Sequence, residues 1–451
     1  MTNTLYLPEL REMLAENNAA ELREFCLALH PARTAEFMEG LTAAEAWEVL
    51  RHTDPVTRME IFSYFPPERQ IETIQSVDRN EVVRLIADLP SDERVDILDS
   101  VDPKIVDELL TLLPPDERRD ILRLRSYPDE SAGAIMTTQF ARLSERQTVA
   151  EALEALRRQS EELETVYYLY VVDDGDHLRG LVSLRDMILS KPTAVIGDIM
   201  ERAVVSVDVT DDQEEVARKL ARFDFVAIPV IDHEHHLVGI VTHDDVIDVV
   251  RDEATEDAQR IAGVEPLRMG YLETRLATLT WKRGLWLTIL FLGATGTILT
   301  LRTYENITAE LKWLVLFLPL IISSGGNSGS QSATLIITAL STGDISLADW
   351  WRVVRRELLM GLFLGGFLGL IGSTLALVSS PEPWAVAIVP LTLILVVTCG
   401  TLVGSILPLV FSRIGLDPAL MSNPFVSCIC DVLGTIIYLE VAMFVLRHPR
   451  L

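Results

Sequence analysis

NPFVSCICDVLGTIIYLEVAMFVL, residues 423–446, decides how this chain has to be read. From Phe425 to Leu446 the run is apolar and long enough to cross a bilayer, whose hydrocarbon core takes about 20 residues of helix. Asp431 stands inside it. A carboxylate at that depth costs about 3 kcal/mol on insertion scales unless a partner meets it, which marks an ion or proton path by default. No Lys or Arg lies within the run, and Arg413 and Arg447 stand near its opposite ends. The competing reading has Asp431 capping a neighbouring helix or bonding a Ser or Thr. Glu440 lies nine residues on, about 180° around a helix and near an interface, so an exposed position is expected there.

Working outward, apolar stretches at about 284–303, 313–340, 358–379, 385–411 and 424–446 give five expected spans. The second and fourth are long and expected to be kinked or broken, at Pro319 with Gly325-Gly326 and at Pro390, Gly400, Gly404 and Pro408. Residues 323–331, SSGGNSGSQ, read as a polar break whose carbonyls could face an ion. An odd number of spans puts the termini on opposite sides. The basic residues Lys282, Arg283, Arg352, Arg355, Arg356 and Arg413 then fall inside, against Arg302, Lys312, Arg447 and Arg450 outside. Met1 to Leu10 has no basic n-region followed by an apolar core, so the N-terminus is expected in the cytosol and the C-terminus outside a cell membrane.

The front of the chain is chemically different. Gly284 to Leu446 holds six basic and nine acidic residues, so −24 of the net −27 lies outside it, −26 before Gly284 and +2 after Leu446. Such a surface repels nucleic acid and attracts cations, and its hard oxygen ligands suit magnesium, calcium or manganese; a plain solubilising charge excess is the alternative. Cys26, Cys399, Cys428 and Cys430 give no disulfide framework. Residues 1–130 read as an all-α superhelix of short amphipathic helices, among them Leu41–Arg51, Pro66–Ser76, Arg79–Leu89, Ser91–Ser100 and Pro103–Leu113.

Residues 131–250 hold an internal repeat. Val166–Val172 and the segment Leu181–Asp186 form one helix–strand–turn–strand–helix unit, and Val226–Ile231 with Ile240–Asp245 form the other. Gly180 and Gly239 lie 59 apart, as do Asp186 and Asp245. The twice-repeated Gly-x-x-[Ser/Thr]-x-x-Asp ending resembles that of a CBS (cystathionine-β-synthase) α/β pair. That likeness implies an adenosine nucleotide near Asp186 and Ser183, or near Asp245 and Thr242; a dimerisation scaffold without ligand stays open beside it. Residues 251–280 are expected to form an acidic connecting helix with Glu253, Glu256 and Asp257 on one side, leaving 281–451 as the membrane domain. A lone intramembrane acid and an odd span count both fit a homodimer, in which two Asp431 carboxylates flank one pore and a dication relieves their repulsion. Magnesium gives up its waters reluctantly, so it would pass hydrated.

This order of modules, with PDESAGAIMT at 128–137, SSGGNSGSQ at 323–331 and NPFVSCICDVLG at 423–434, resembles the MgtE family of magnesium channels from end to end. The resemblance implies a homodimeric magnesium channel, not an enzyme, shut by cytosolic magnesium. It puts the pore acid at Asp431 and the mouth asparagine at Asn423, with Gly325, Gly326, Asn327 and Gly434 lining the pore. Sensor carboxylates fall on Asp224, Asp245, Asp248, Glu253, Glu256, Asp257 and Asp417, with Asp212, Glu214, Asp88 and Asp92 as additions. ATP as a regulator would meet Tyr168, Arg185, Asp186 and Phe225. Cys428 and Cys430 have no role in the family pattern; as small packing residues they would be neutral, and facing the pore they would admit softer metals. The rival reading is a proton- or sodium-coupled carrier of Co2+, Mn2+ or Zn2+, against which a nearly solitary intramembrane acid argues. An intramembrane protease is disfavoured because no His-Glu-x-x-His occurs, and His233-Glu234-His235-His236 fills a turn.

Overall fold

Helix starts in the first part of the chain are written by acid and proline. Asp54 caps the Pro55 helix by accepting from Thr57 N, Asp102 caps the Pro103 helix through Lys104 N, and Thr42 with Glu45 forms a capping box. These motifs punctuate α1 to α10 between Leu7 and Leu124, each helix seven to ten residues long. The computed structural model describes residues 5–159, 163–267, 270–272, 274–305, 312–379 and 386–447. The residue 385 start of one expected span and the Arg450 tail lie outside these. Contact clustering divides the chain into two units, Met1–Arg251 and Asp252–Leu451.

In the first unit the short helices stack on their next-but-one neighbours. Pro55–Ser63 (α5) packs on Pro31–Phe37 (α3) and on Arg79–Asp88 (α7), while Ser91–Asp99 (α8) packs on Pro67–Ser76 (α6) and Pro115–Leu124 (α10). Two layers of a superhelix result, as expected for repeated hairpins. Two three-stranded sheets follow, with the helices Val149–Gln159 (α11), Leu184–Leu189 (α12), Ile196–Ile199 (α13) and Gln213–Phe223 (α14) between their strands. Phe140–Ser144 (β1) runs parallel to Thr165–Val172 (β2), which is antiparallel to Leu178–Ser183 (β3). Val207–Asp208 (β4), Ala227–Ile231 (β5) and Leu237–Thr242 (β6) repeat that order. The register repeats as well: Val171 faces Gly180 and Val230 faces Gly239. Phe140, Tyr170, Ala227, Leu237 and Ile240 fill the core shared by the two halves.

The expected connecting helix is corrected. Its first part is continuous with the last helix of the repeat, His243–Ile261 (α15). It stops because Gly263 takes a left-handed φ of 75° and Pro266 follows. Residues 264–267 are irregular, and the next helix starts only at Leu276.

The second unit carries Leu276–Thr303 (α16), Lys312–Ser341 (α17), Trp350–Ser379 (α18), Ile388–Arg413 (α19) and Asn423–Arg447 (α20). Four of these, α16, α18, α19 and α20, are long and apolar enough to cross a membrane. α17 is 30 residues long but carries the polar SSGGNSGSQ stretch. That stretch is unbroken helix, as are residues 388–413, which corrects the expectation of broken backbone. The glycines do another job. A Cβ on Gly325 would lie 2.6 Å from Val396, one on Gly400 would overlap the Gly325 carbonyl, and one on Gly404 would overlap the Gly329 carbonyl. Two small-xxx-small stripes thus let the α17 and α19 backbones touch, and the helix keeps its own hydrogen bonds. Gly404→Val should cost about 1–3 kcal/mol by overpacking this contact. A lowered onset of thermal unfolding of the purified protein checks it; an unchanged onset would refute the contact.

Candidate ion pathway and acidic contacts

With one face of α17 pressed on α19, its hydroxyl-bearing face turns to α20. Thr334 Oγ1 lies 3.1 Å from Asn423 Oδ1 and 3.0 Å from Asn423 Nδ2. Ser330 Oγ donates to the Asn423 carbonyl at 3.1 Å and lies 3.5 Å from Ser427 Oγ. One turn further, a Cβ on Gly326 would sit 2.7 Å from Ser427 Oγ and 3.5 Å from Asp431 Oδ1. Asn423, Ser427 and Asp431 are spaced by four, so they line one side of α20 and form a polar seam with α17. Asp431 is half-buried on that seam. Asn327 is exposed beside it and donates to Ser323 Oγ at 3.3 Å. Gly325 and Gly434, expected to line a pore, instead abut Val396 of α19.

The two cysteines beside Asp431 point to different helices. Cys428 Sγ lies 3.6 Å from the Leu290 carbonyl of α16. Cys430 is buried, and a Cβ on Gly329 of α17 would sit 2.9 Å from its sulfur. Both sulfurs thus lie against neighbouring helices. Glu440 is exposed and accepts from Tyr304 Oη at 2.5 Å, in line with its expected peripheral place.

The end of α15 packs against the start of α20. Ile261 joins the apolar cluster of Ala333, Ile337, Ala419 and Val426, and a Cβ on Gly263 would lie 3.3 Å from Pro424. Arg260 bridges Glu256 and Asp417. Asp417 also accepts from Ala419 N at 2.7 Å. Asp257 is half-buried here, and burial first, then the Asp417 charge, holds its carboxyl above the ordinary range. Glu256, Asp257 and Asp417 are thus brought together.

A second acidic contact lies within the first unit. Asp92 of α8 is buried, and its Oδ1 has no hydrogen-bond partner. Burial, then Asp245, raises the Asp92 carboxyl well above its ordinary value. Asp245 is raised in turn by burial, against the hydrogen bond from Thr242. Glu164 and Asp96 are each pushed up to about 7 by burial and by neighbouring carboxylates that include Asp245 and Glu93. Asp88 is exposed on α7, with the charges of Arg58 and Arg94 acting on it. Asp248 and Asp224 are exposed, Asp224 in a left-handed cap with φ 53°. Asp212 caps the Gln213–Phe223 helix, and Glu214 lies 3.8 Å from Arg218. Among the described residues no three His, Cys, Asp or Glu converge as ready metal ligands.

The two halves of the repeat have parted ways. In the second half Thr242 and Asp245 face α8. In the first, Ser183 Oγ and Asp186 Oδ2 lie 2.5 Å apart, and both Asp186 and Arg185 are exposed. Tyr168 lies opposite Ser183 in the β2–β3 pair, and Phe225 stacks on Phe223 at 5.5 Å. Of the two expected nucleotide positions, the Ser183–Asp186 one is open.

Sequence comparison agrees with this architecture. The profile named MgtE, a divalent cation transporter, matches residues 318–441; the MgtE intracellular N domain matches 29–130, and CBS domains match 132–191 and 196–252. The magnesium transporter MgtE of Thermus thermophilus is 38% identical over 443 residues, 97% of this chain and 98% of its own length. The chain belongs to the MgtE family. The magnesium transporter MgtE of Enterococcus faecalis is 37% identical over 72% of this chain and 71% of its own. A crystal structure of the soluble part of a magnesium transporter superposes with TM-score 0.52 and 37% identity, covering 55% of this chain and 97% of that one. The cytosolic domain of the Mg2+ channel MgtE in complex with ATP gives TM-score 0.51 and 37% identity, covering 53% and 98%.

Ser330, Thr334 and Ser427 of this MgtE family member were not singled out from sequence. The signal was present, since Ser427 lies four residues before Asp431, but hydroxyls on an apolar helix usually bond their own carbonyls. Glu164 and Asp96 also escaped notice, for they become neighbours of Asp245 only in the fold. The raised carboxyls at this contact carry a pH dependence. The compact arrangement binds more protons than an opened one between about pH 4, the free carboxyl value, and about pH 7. Its stability is therefore full below that window and falls as pH rises through it. Trypsin cleavage around Arg123–Arg125 of the intact protein, taken relative to cleavage of an unfolded peptide of the same sequence at the same pH, should be slower at pH 5.5 than at pH 8. Equal rates would refute the coupling.

Proposed function

We propose that the chain is a magnesium-selective channel for Mg2+ uptake, a five-span homodimer in the cell membrane with a cytosolic N-terminus. The polar seam that ends on Asp431 carries this reading. It is a line of hydroxyl, amide and carboxylate groups through apolar helices, and among the described residues Asp431 forms no ion pair. Two such seams facing each other across a two-fold axis would form one pore, and the paired Asp431 carboxylates would attract a hydrated dication. In growth rescue of a magnesium-uptake-deficient strain, Asp431→Ala should fail where the unaltered chain succeeds. Rescue by both would reject the pathway.

Cytosolic magnesium supplies the gate in this reading. The orphaned Asp92 Oδ1 opposite Asp245 and the Asp257–Asp417 pair are carboxylates held together at a cost, and a divalent ion would relieve it as a proton does. Asp92 with Asp245 would hold ions at one contact, and Asp257 with Asp417 at the other. Binding there favours α15 seated over the mouth of α20, a shut pore. Low magnesium restores repulsion and frees it. Moving such an equilibrium from 1:99 to 99:1 takes about 5.5 kcal/mol, which several weak sites can share. The combined variant of Asp245, Asp248, Glu253 and Asp257 to Ala should stay conductive at millimolar internal magnesium in patch recordings. Normal closure would contradict this gate. ATP would act at the open Ser183–Asp186 half as a regulator. This is supported by the relative whose cytosolic domain is seen with ATP.

A further inference from the structure

A cavity of about 860 Å³ opens between α17 and α18, on the side of α17 away from Asp431. Its shape follows from one buried pair. Glu357, only 9% exposed, accepts from Ser332 Oγ at 2.6 Å and sets the register of the two helices. Arg355 and Arg356 stand just before it on the cavity wall, exposed, and among the described residues neither forms an ion pair. Arg352 beside them is paired to Asp349 at 3.0 Å. Trp350 and Trp351, 5.5 Å apart and exposed, mark this as the membrane–water interface.

The wall is layered by depth. Ser328 lies four residues from Ser332 on α17, about 6 Å further into the membrane. It is 7% exposed, and its Oγ has no hydrogen-bond partner. Met360 is level with it, and Leu364 lines the cavity one turn deeper. Free guanidinium, then an unpaired hydroxyl, then hydrocarbon is the order of a phospholipid's own groups. The bilayer's polar layer on each side is about 5–7 Å deep, which matches the step from Arg356 to Ser328.

We propose that this cavity binds an anionic phospholipid, its phosphate on Arg355 and Arg356, its glycerol ester accepting from Ser328, and its chain along Met360 and Leu364. Asp344, Asp349 and Glu357 also line the cavity, Asp349 paired with Arg352 and Glu357 bonded by Ser332, so the attraction for an anionic headgroup, about 1 kcal/mol per cation, comes from Arg355 and Arg356. A free phosphate ion would use the arginines but leave the hydroxyl and the apolar wall idle. Ser328 belongs to the glycine-rich stretch of α17, so the lipid would touch the helix that lines the seam.

Native mass spectrometry of the full chain, with phosphatidylglycerol or phosphatidylcholine added to detergent, reads binding without ion flux, so it stands apart from the transport reading. Phosphatidylglycerol should be retained and phosphatidylcholine should not. The Arg355→Gln/Arg356→Gln variant should bind phosphatidylglycerol about 30-fold more weakly, and Ser328→Ala about fivefold more weakly. If the double variant does not fold, Arg356→Gln alone should still show a loss of about fivefold. Equal retention of the two lipids, or unchanged binding by the folded arginine and Ser328 variants, would overturn the proposal. Displacement of the lipid by millimolar inorganic phosphate would also overturn it, making the site one for small anions.

Discussion

Everything in the second unit follows from two backbones touching. Gly325 and Gly329 on α17 meet Gly400 and Gly404 on α19 with no side chain between them. Inside a bilayer there is little hydrophobic gain in bringing two helices together, so close van der Waals approach of small residues has to supply it. Once α17 is fixed by that face, its other polar residues have nowhere neutral to turn. Ser330 and Thr334 meet Asn423 and Ser427 of α20, and Gly326 leaves room for Asp431. The glycine-rich stretch is therefore a packing surface first, and a polar lining because of it.

The charged contacts share one piece of physics at two places. Asp92 with Asp245 in the first unit, and Asp257 with Asp417 in the second, are like charges brought near each other in partly dry surroundings. Each contact is disfavoured when ionised and favoured when a proton or dication intervenes. At the first of these, among the described residues, neither Asp92 nor Asp245 forms an ion pair with an Arg. At the second, Arg260 takes Glu256 and Asp417, and Asp257 is left raised. Such contacts are poor as permanent struts and suited to report on the surrounding ion concentration.

Much of this was legible in advance. The 59-residue repeat shows itself in paired glycines and aspartates, and the register of both sheets repeats it. The short acidic helices announce their starts with Asp-Pro or Thr-x-x-Glu. Asp431 stands out because any charge in an apolar run does. What stayed hidden depended on neighbours distant in sequence. Gly325-Gly326 looks like a helix break until Gly400 and Gly404 supply the facing surface. The α15 helix looks like a separate connector until it is seen to continue from β6 to Gly263. Asp88 and Asp92 fall on successive expected helices, and nothing in the sequence says which of the two faces a partner. Asp92 is buried facing Asp245, and Asp88 is left exposed.

The divergence of Ser183–Asp186 from Thr242–Asp245 has a consequence for how such a protein can change over generations. A duplicated unit began as two equivalent sockets. One is now committed to holding the chain's own helix, and the other faces solvent. Drift in the exposed copy carries little structural risk. The same exchanges in the committed copy would loosen an internal joint, so lineages should vary freely in the first and hardly at all in the second.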